Sequence, residues 1–191
     1  MKTRTMTRRS WMTVAAVLAL VAGIAVDAQP RQAASQAGRL KILVVHGPNL
    51  NLLGRREPQI YGTTTLAQIN TRLSDLAKEL NVDLITMQSN AEGAIVDAFQ
   101  AHIDDIDGAI INAAGLSFHS VPIHDVIKAM PFPVIEVHMS NLGTRDVIHQ
   151  NSILTPAVRG TVMGLGWHSY TAALRGVVEI VREERAAKNH K

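Results

Sequence analysis

The sequence predicts an α/β fold built on a five-stranded parallel sheet. Three observations lead there. From Leu40 onward, short apolar segments alternate with segments whose apolar residues recur at helical spacing. Strands separated by helices need crossover connections, which set the strands parallel and cover both faces of the sheet. The chain is 47 % hydrophobic and 18 % charged over 191 residues. That is enough apolar material for a sheet buried on two sides, and too little charge for a disordered body.

The first strand is Leu40–His46, a nearly continuous apolar run that leads into a polar loop, Gly47–Gly62. Thr63, Thr64 and Thr65 offer caps for a helix in which Leu66, Ile69, Leu73, Leu76 and Leu80 recur at helical spacing. Val82–Met87 is the second strand, and Ala91–Ile103 a helix with Ile95, Val96 and Phe99 on one face. Asp107-Gly108 signals a turn before a short buried strand, Ala109–Ile111. Ser120 opens a helix over Val121–Met130, where Pro122 is tolerated in the first turn. Pro133–His138 is the fourth strand, and the last lies within Val158–Gly164. Trp167–Ala187 closes the chain as an amphipathic helix with Leu174, Val177, Val178 and Val181 inward. Right-handed crossovers among five such strands give a flavodoxin-like three-layer sandwich. The glycines of Gly160–Gly166 do not follow a phosphate-binding pattern: there is neither GxGxxG after a strand nor GK[ST].

The N-terminus reads as a signal peptide over residues 1–28. Lys2, Arg4, Arg8 and Arg9 form a basic stretch, residues 11–26 an uncharged, largely apolar one, and Val26-Asp27-Ala28 a small-residue cleavage site before Gln29. The apolar stretch is short for a membrane span. Thr7-Arg8-Arg9-Ser10-Trp11-Met12 resembles a twin-arginine signal. The protein is therefore expected to be exported to the periplasm, touching a membrane only through this signal. Residues 29–39, rich in Ala and Gln, read as a flexible leader, and 40–191 as a single domain. The isoelectric point near 9.5 is owed to residues 1–28. Setting aside Lys2, Arg4, Arg8, Arg9 and Asp27 leaves 15 basic and 15 acidic residues. A neutral body gives no electrostatic reason to expect nucleic acid as a partner. The chain has no cysteine, which excludes disulfides, thiolate metal sites and cysteine nucleophiles. Its eight histidines show no HExxH spacing, and no metal is expected.

Two segments concentrate chemistry. The loop after the first strand carries Asn49, the pair Arg55-Arg56, and Tyr61. An arginine beside a tyrosine stabilises the phenolate. The fourth strand ends Glu136-Val137-His138-Met139-Ser140-Asn141, where a period of two puts Glu136 and His138 on one face. A carboxylate fixes the imidazole tautomer and favours its protonated form, which suits a general acid. Asn49, Asn112 and His138 all fall at the carboxyl ends of strands, where α/β proteins bind ligands. The backbone N–H groups of Met139 and Ser140 suit a substrate carboxylate.

From about Leu40 to Ala187 the chain resembles the type II 3-dehydroquinate dehydratases. The motifs are Gly47-Pro48-Asn49-Leu50-Asn51, Leu53-Gly54-Arg55-Arg56-Glu57-Pro58 with Tyr61-Gly62, and Gln88-Ser89-Asn90 with Glu92-Gly93. They continue with Ile111-Asn112-Ala113, Glu136-Val137-His138 with Ser140-Asn141, and Gly164-Leu165-Gly166. The resemblance implies a flavodoxin-like hydro-lyase that needs no cofactor or metal and commonly forms dodecamers of trimers. It would convert 3-dehydroquinate to 3-dehydroshikimate through an enolate. Tyr61 would be the base that takes the proton alpha to the ketone. Arg56 would keep it anionic and close with the lid loop. Asn49 would hold a water against the enolate oxygen. His138 would protonate the departing hydroxyl, with Glu136 orienting it. Asn112, Met139 and Ser140 would anchor the carboxylate and hydroxyls, Asp125 would reach the site across a subunit interface, and Arg145 would support the lid.

Two positions depart from the family pattern. Phe118 stands where a substrate-binding histidine is usual, with His119 one residue later, and His149 stands where an arginine is usual. A phenylalanine cannot hydrogen-bond a hydroxyl. His119 and His149 would have to supply the missing hydrogen bonds to the substrate. Alternatives are a related lyase acting on a different hydroxylated cyclic keto acid, or a non-catalytic periplasmic protein that binds small carboxylates.

Overall fold

The five expected strands pair into one wholly parallel sheet. They are β1 Leu40–His46, β2 Val82–Gln88, β3 Gly108–Asn112, β4 Val134–His138 and β5 Gly160–Met163, in the order β2-β1-β3-β4-β5. A computed structural model describes residues 38–189. The expected signal peptide and nearly all of the leader lie outside them. From Arg39 onward the described residues make one unit, and none of their helices is long and apolar enough to cross a membrane.

Strand periodicity divides the apolar residues between two cores. Leu40, Ile42 and Val44 of β1 face one layer; Leu43 and Val45 face the other. The first layer is made by α2 (Leu66–Leu80) and α5 (His168–Asn189), which contribute Ile69, Leu73, Leu174 and Val177. The second is made by α3 (Glu92–Ala101) and α4 (Val121–Ala129), which contribute Ile95, Phe99, Ile123 and Ile127. Helix starts follow local chemistry. Thr65 caps α2 in a reciprocal box with Gln68, and Asn81 ends it in the left-handed region. The Ser120 side chain accepts from the Ile123 N–H, and Pro122 sits in the first turn of α4. Expected boundaries differ from these by one or two residues, because end residues lack intrahelical partners.

The order β2-β1-β3 places the switch in chain direction between β1 and β3, and that is where such sheets hold ligands. His46 and Asn112 are partners in register at this point. The two strand ends approach closely because Gly47 has no side chain. A Cβ there would lie 2.5 Å from the Ala113 carbonyl oxygen, inside contact distance. The Gly47 N–H instead donates to Asn112 O at 2.7 Å. The loop expected over 47–62 contains a 3-10 turn at Leu50–Leu52 and one helical turn, α1 (Pro58–Tyr61).

Candidate active site

The carboxyl ends of β1, β3 and β4 enclose a cavity of about 200 Å³. Asn49, Arg56, Tyr61, Asn112, His138, Met139, Ser140, Arg145 and His149 all line it, together with an apolar wall that includes Leu50, Leu53, Phe118 and Leu142. Residues from three separated parts of the chain are thus brought to one place.

His138 closes β4 and is nearly buried; Glu136, two residues earlier on the same face, is 0 % exposed. The His138 Nε2–H donates to Glu136 Oε1 at 2.9 Å. Nδ1 is left as the ring nitrogen available to the cavity. Burial works to raise the Glu136 pKa. Hydrogen bonds from His138, Ser152 and Thr155, with the charge of His138, overcome it and hold the carboxyl below its usual value. The Ser152 hydroxyl reaches Oε1 at 2.5 Å, and those of Thr155 and Thr161 reach Oε2 at 2.7 and 3.4 Å. These three hydroxyls were not anticipated from the sequence, because no periodicity marks them. The one available signal is general: a buried carboxylate requires converging donors.

On the opposite wall, Tyr61 ends α1. Pro58 begins that turn, and Glu57 and Gly62 flank it at positive φ of 40° and 76°. The phenol oxygen accepts from Arg145 Nη1 at 3.1 Å, and the same nitrogen donates to Ser140 Oγ at 3.1 Å. Arg56 was expected at this oxygen. Its guanidinium lies instead 5.3 Å from the Tyr61 ring centroid and pairs with Glu57 at 2.7 Å. The neighbouring carboxylate takes up its donors, so the cation beside the phenol oxygen is Arg145. Asn49 adopts φ 64°, a left-handed conformation that asparagine tolerates. Its N–H donates to Asn90 Oδ1 at 2.9 Å, and Gln88 Nε2 binds the same oxygen at 3.1 Å. The Gln88-Ser89-Asn90 segment therefore braces the asparagine loop.

Beneath Asn112 lies a second polar group that no sequence pattern pointed to. The Tyr170 hydroxyl contacts His46, which in turn contacts Asn70. Tyr170 was legible as an inward residue, since it falls on the apolar face of α5 with Leu174 and Val177. Its hydroxyl partner was not.

Phe118 faces the cavity between two histidines. Its ring stacks on His138 at 6.3 Å between centroids and meets His149 edge-on at 5.1 Å. His149 Nδ1 bonds Asp146 Oδ1 at 2.7 Å. That bond is the main reason the Asp146 carboxyl sits below its usual value; partial burial opposes it, and the charges of His149 and Arg145 add to it. His119 does not reach the cavity. This corrects the expectation that it would hydrogen-bond the substrate in place of the histidine usual at position 118. The 3-10 turn Ala114–Phe118 turns Phe118 inward and leaves His119, its C-cap, exposed. Asp125 does not line the cavity of its own chain; it pairs with His124 on α4 at 2.8 Å. Among the described residues no cluster of three or more His, Asp or Glu is placed to hold a metal ion.

The sequence pattern of the family described as dehydroquinase class II matches residues 40–178. Over 136 residues the chain is 53 % identical to the 3-dehydroquinate dehydratase of Bordetella pertussis, covering 71 % of this chain and 94 % of that protein. Over 135 residues it is 45 % identical to that of Roseiflexus castenholzii, covering 71 % and 86 %. The solved type II dehydroquinase of Butyrivibrio crossotus matches with a TM-score of 0.72 at 34 % identity, over 73 % of this chain and 97 % of that one. The Propionibacterium acnes type II dehydroquinase gives 0.71 at 37 %, over 74 % and 99 %. A family match over most of the chain, with relatives matched over nearly their whole length, leads to one assignment: this chain belongs to the class II dehydroquinases.

Proposed function

We propose that the protein dehydrates 3-dehydroquinate to 3-dehydroshikimate through an enolate. The observation that carries this is the facing pair in one cavity: a tyrosine backed by an arginine, and a histidine backed by a buried carboxylate. Elimination of water next to a ketone needs both. Tyr61 takes the proton alpha to the ketone, and Arg145 stabilises the phenolate that can do so. The electron pair moves onto the ketone oxygen. Neutral donors such as Asn49 stabilise the enolate there. His138, oriented by Glu136, then gives a proton from Nδ1 to the departing hydroxyl, which leaves as water as the enolate collapses. Tyr61 then returns its proton to solvent and His138 takes one up at Nδ1, which resets both groups. A protein that only bound small carboxylates would have no use for this paired acid and base.

The test is direct turnover. The purified protein, given 3-dehydroquinate, should generate the absorbance of a conjugated enone. Tyr61→Phe should lower kcat by roughly 10²–10⁴ and leave substrate binding largely intact. Near-normal kcat in that variant would refute the assignment of the base.

A second reading, a lyase for a less hydroxylated cyclic keto acid, is favoured by one observation. Phe118 offers a wall without donors or acceptors beside the acid. Two wider proposals rest on the sequence. The basic and apolar segments of residues 1–28 support export to the periplasm, where the reaction would serve breakdown of quinate or shikimate. Assembly into a homo-oligomer, a dodecamer by family resemblance, is supported by Val147 and Ile148. They are 82 % and 77 % exposed in the single chain, as apolar residues awaiting a partner surface would be.

A further inference from the structure

His149 lines the cavity at a position where an arginine is usual, and the steps above give it no part. It ends the 3-10 turn Val147–His149, which has no buried residue, and Asp146 caps the start of that turn. Asp146 Oδ1 lies 2.7 Å from His149 Nδ1. Phe118 meets the imidazole edge-on at 5.1 Å between centroids, and its ring also stacks on His138.

We propose that Asp146 fixes the His149 ring so that Nε2 meets the substrate as a hydrogen-bond acceptor, which makes His149 a specificity-determining residue that recognises one ring hydroxyl by its proton. The direction follows from what each group can do. A carboxylate only accepts, so the proton between Asp146 and His149 sits on Nδ1. Nε2 of the neutral ring is then a lone pair, and it is the ring nitrogen left for the cavity. Asp146 is the ionised partner. The hydrogen bond from His149 is the chief reason its carboxyl sits below the usual value, and the charges of His149 and Arg145 act the same way. Arg145, next in sequence, directs Nη1 to Tyr61 and Ser140 instead, at 3.1 Å each.

An arginine at position 149 could only donate. It would bind the lone pairs of a substrate oxygen, whereas His149 binds the proton on that oxygen. A hydroxyl satisfies either residue. A fluorine or an ether oxygen satisfies only the arginine. Phe118, beside His149, satisfies neither role. This wall therefore recognises one hydroxyl and is indifferent to a second. The ligand that fits is a ring with a hydroxyl, not an acceptor alone, set against His149.

The inference rests on the dehydratase reading only for the identity of the substrate, and the test separates the two. In ¹⁵N-histidine-labelled protein at about pH 8, where an ordinary histidine is neutral, His149→Gln assigns the signal. His149 should be the neutral Nδ1–H tautomer, and Asp146→Ala should remove that preference. A proton on Nε2, or on both nitrogens, overturns the proposal. Kinetics are then compared for 3-dehydroquinate and for analogues in which each ring hydroxyl that the reaction retains is replaced in turn by fluorine. At one position the replacement should raise KM by a factor of about 2–10, the worth of one hydrogen bond. His149→Leu should raise KM for 3-dehydroquinate by a similar factor, change kcat less than about threefold, and remove the difference between 3-dehydroquinate and that analogue. His149→Arg should also remove the difference, since its donors accept either partner. Fluorine penalties that persist at both positions in His149→Leu overturn the proposal. Asp146→Ala should raise KM in the wild-type background and no further in His149→Leu, as expected when two residues act through one contact. A further rise would mean that Asp146 acts through Arg145, and would overturn its positioning role. The turn buries nothing, so these variants leave the core intact. A wild-type protein inactive on 3-dehydroquinate refutes the dehydratase reading, and the His149 tautomer with and without Asp146 still decides this one.

Discussion

Thr155→Val should make the acid half of the site sensitive to pH. Glu136 is 0 % exposed, and burial alone would favour its neutral form. Its Oε2 is held by Thr155 at 2.7 Å and by Thr161 at a long 3.4 Å. Valine keeps the shape of threonine and removes only the hydroxyl, leaving Oε2 with the weaker contact. A hydrogen bond to a charged group contributes about 1.5–3 kcal/mol. For a chain of this size that corresponds to a fall in Tm of roughly 3–12 °C near neutral pH. The sign with pH follows from linkage. A carboxylate whose folded pKa is depressed contributes stability that is present above its unfolded value and lost as pH falls through the folded value. The variant's folded value is raised towards the unfolded one, so its loss begins at higher pH. Melting curves of both proteins across the acid range should therefore show a large Tm gap near neutrality that closes as Glu136 protonates. The acid limb of kcat should move up as well, since His138 loses its carboxylate partner earlier. A Tm gap that stays constant as pH falls from about 7 to well below about 4, the ordinary carboxylate value, would refute the ionised, hydroxyl-caged Glu136.

Other perturbations separate the remaining roles. Arg145→Ala should lower kcat more than Arg56→Ala, because Arg145 touches the phenol oxygen at 3.1 Å and Arg56 lies over the ring; steady-state kinetics in which Arg56→Ala is the worse would return the phenolate to Arg56. Phe118→His combined with His119→Thr, and separately His149→Arg, should lower KM for 3-dehydroquinate by a factor of about 2–10, the worth of one added hydrogen bond. If each reversion raises KM, the altered wall is already adapted to this substrate. Mass spectrometry of protein from its native host should find an N-terminus near Gln29, and replacing Arg8 and Arg9 by lysine should retain the precursor in the cytoplasm. An intact Met1 on cytoplasmic protein would refute export.

The sheet was legible because its strands are short apolar runs bounded by turn signals, and β1 falls on Leu40–His46 as expected. Glu136 and His138 were legible because a strand's period of two is rigid. What could not be read was which side chains meet over long sequence distances. Tyr61 and Arg145 are 84 residues apart, and His46 and Tyr170 are 124 apart. No local pattern encodes either pair. The choice of Arg145 over Arg56 at the phenol depends on Glu57, whose carboxylate competes for the nearer arginine. His119 was misplaced for a local reason: neighbouring residues at the end of a 3-10 turn face different ways, and the sequence does not say which one turns inward.

The two halves of the site are held by different means, and they should respond differently to mutation. The acid stands on a central strand, its carboxylate partner sealed in the interior by hydroxyls from β5 and the segment before it. The base stands on a single helical turn with no buried residue, and is tied to the rest of the cavity by Arg145 from a loop. Interior groups couple to global stability, whereas loop groups do not. Substitutions around Glu136 should therefore move Tm and kcat together. Substitutions around Tyr61 and Arg145 should move kcat with little change in Tm. On the proposed mechanism the departing hydroxyl would meet an imidazole held in the core, and the base would be the half of the site held by loop contacts.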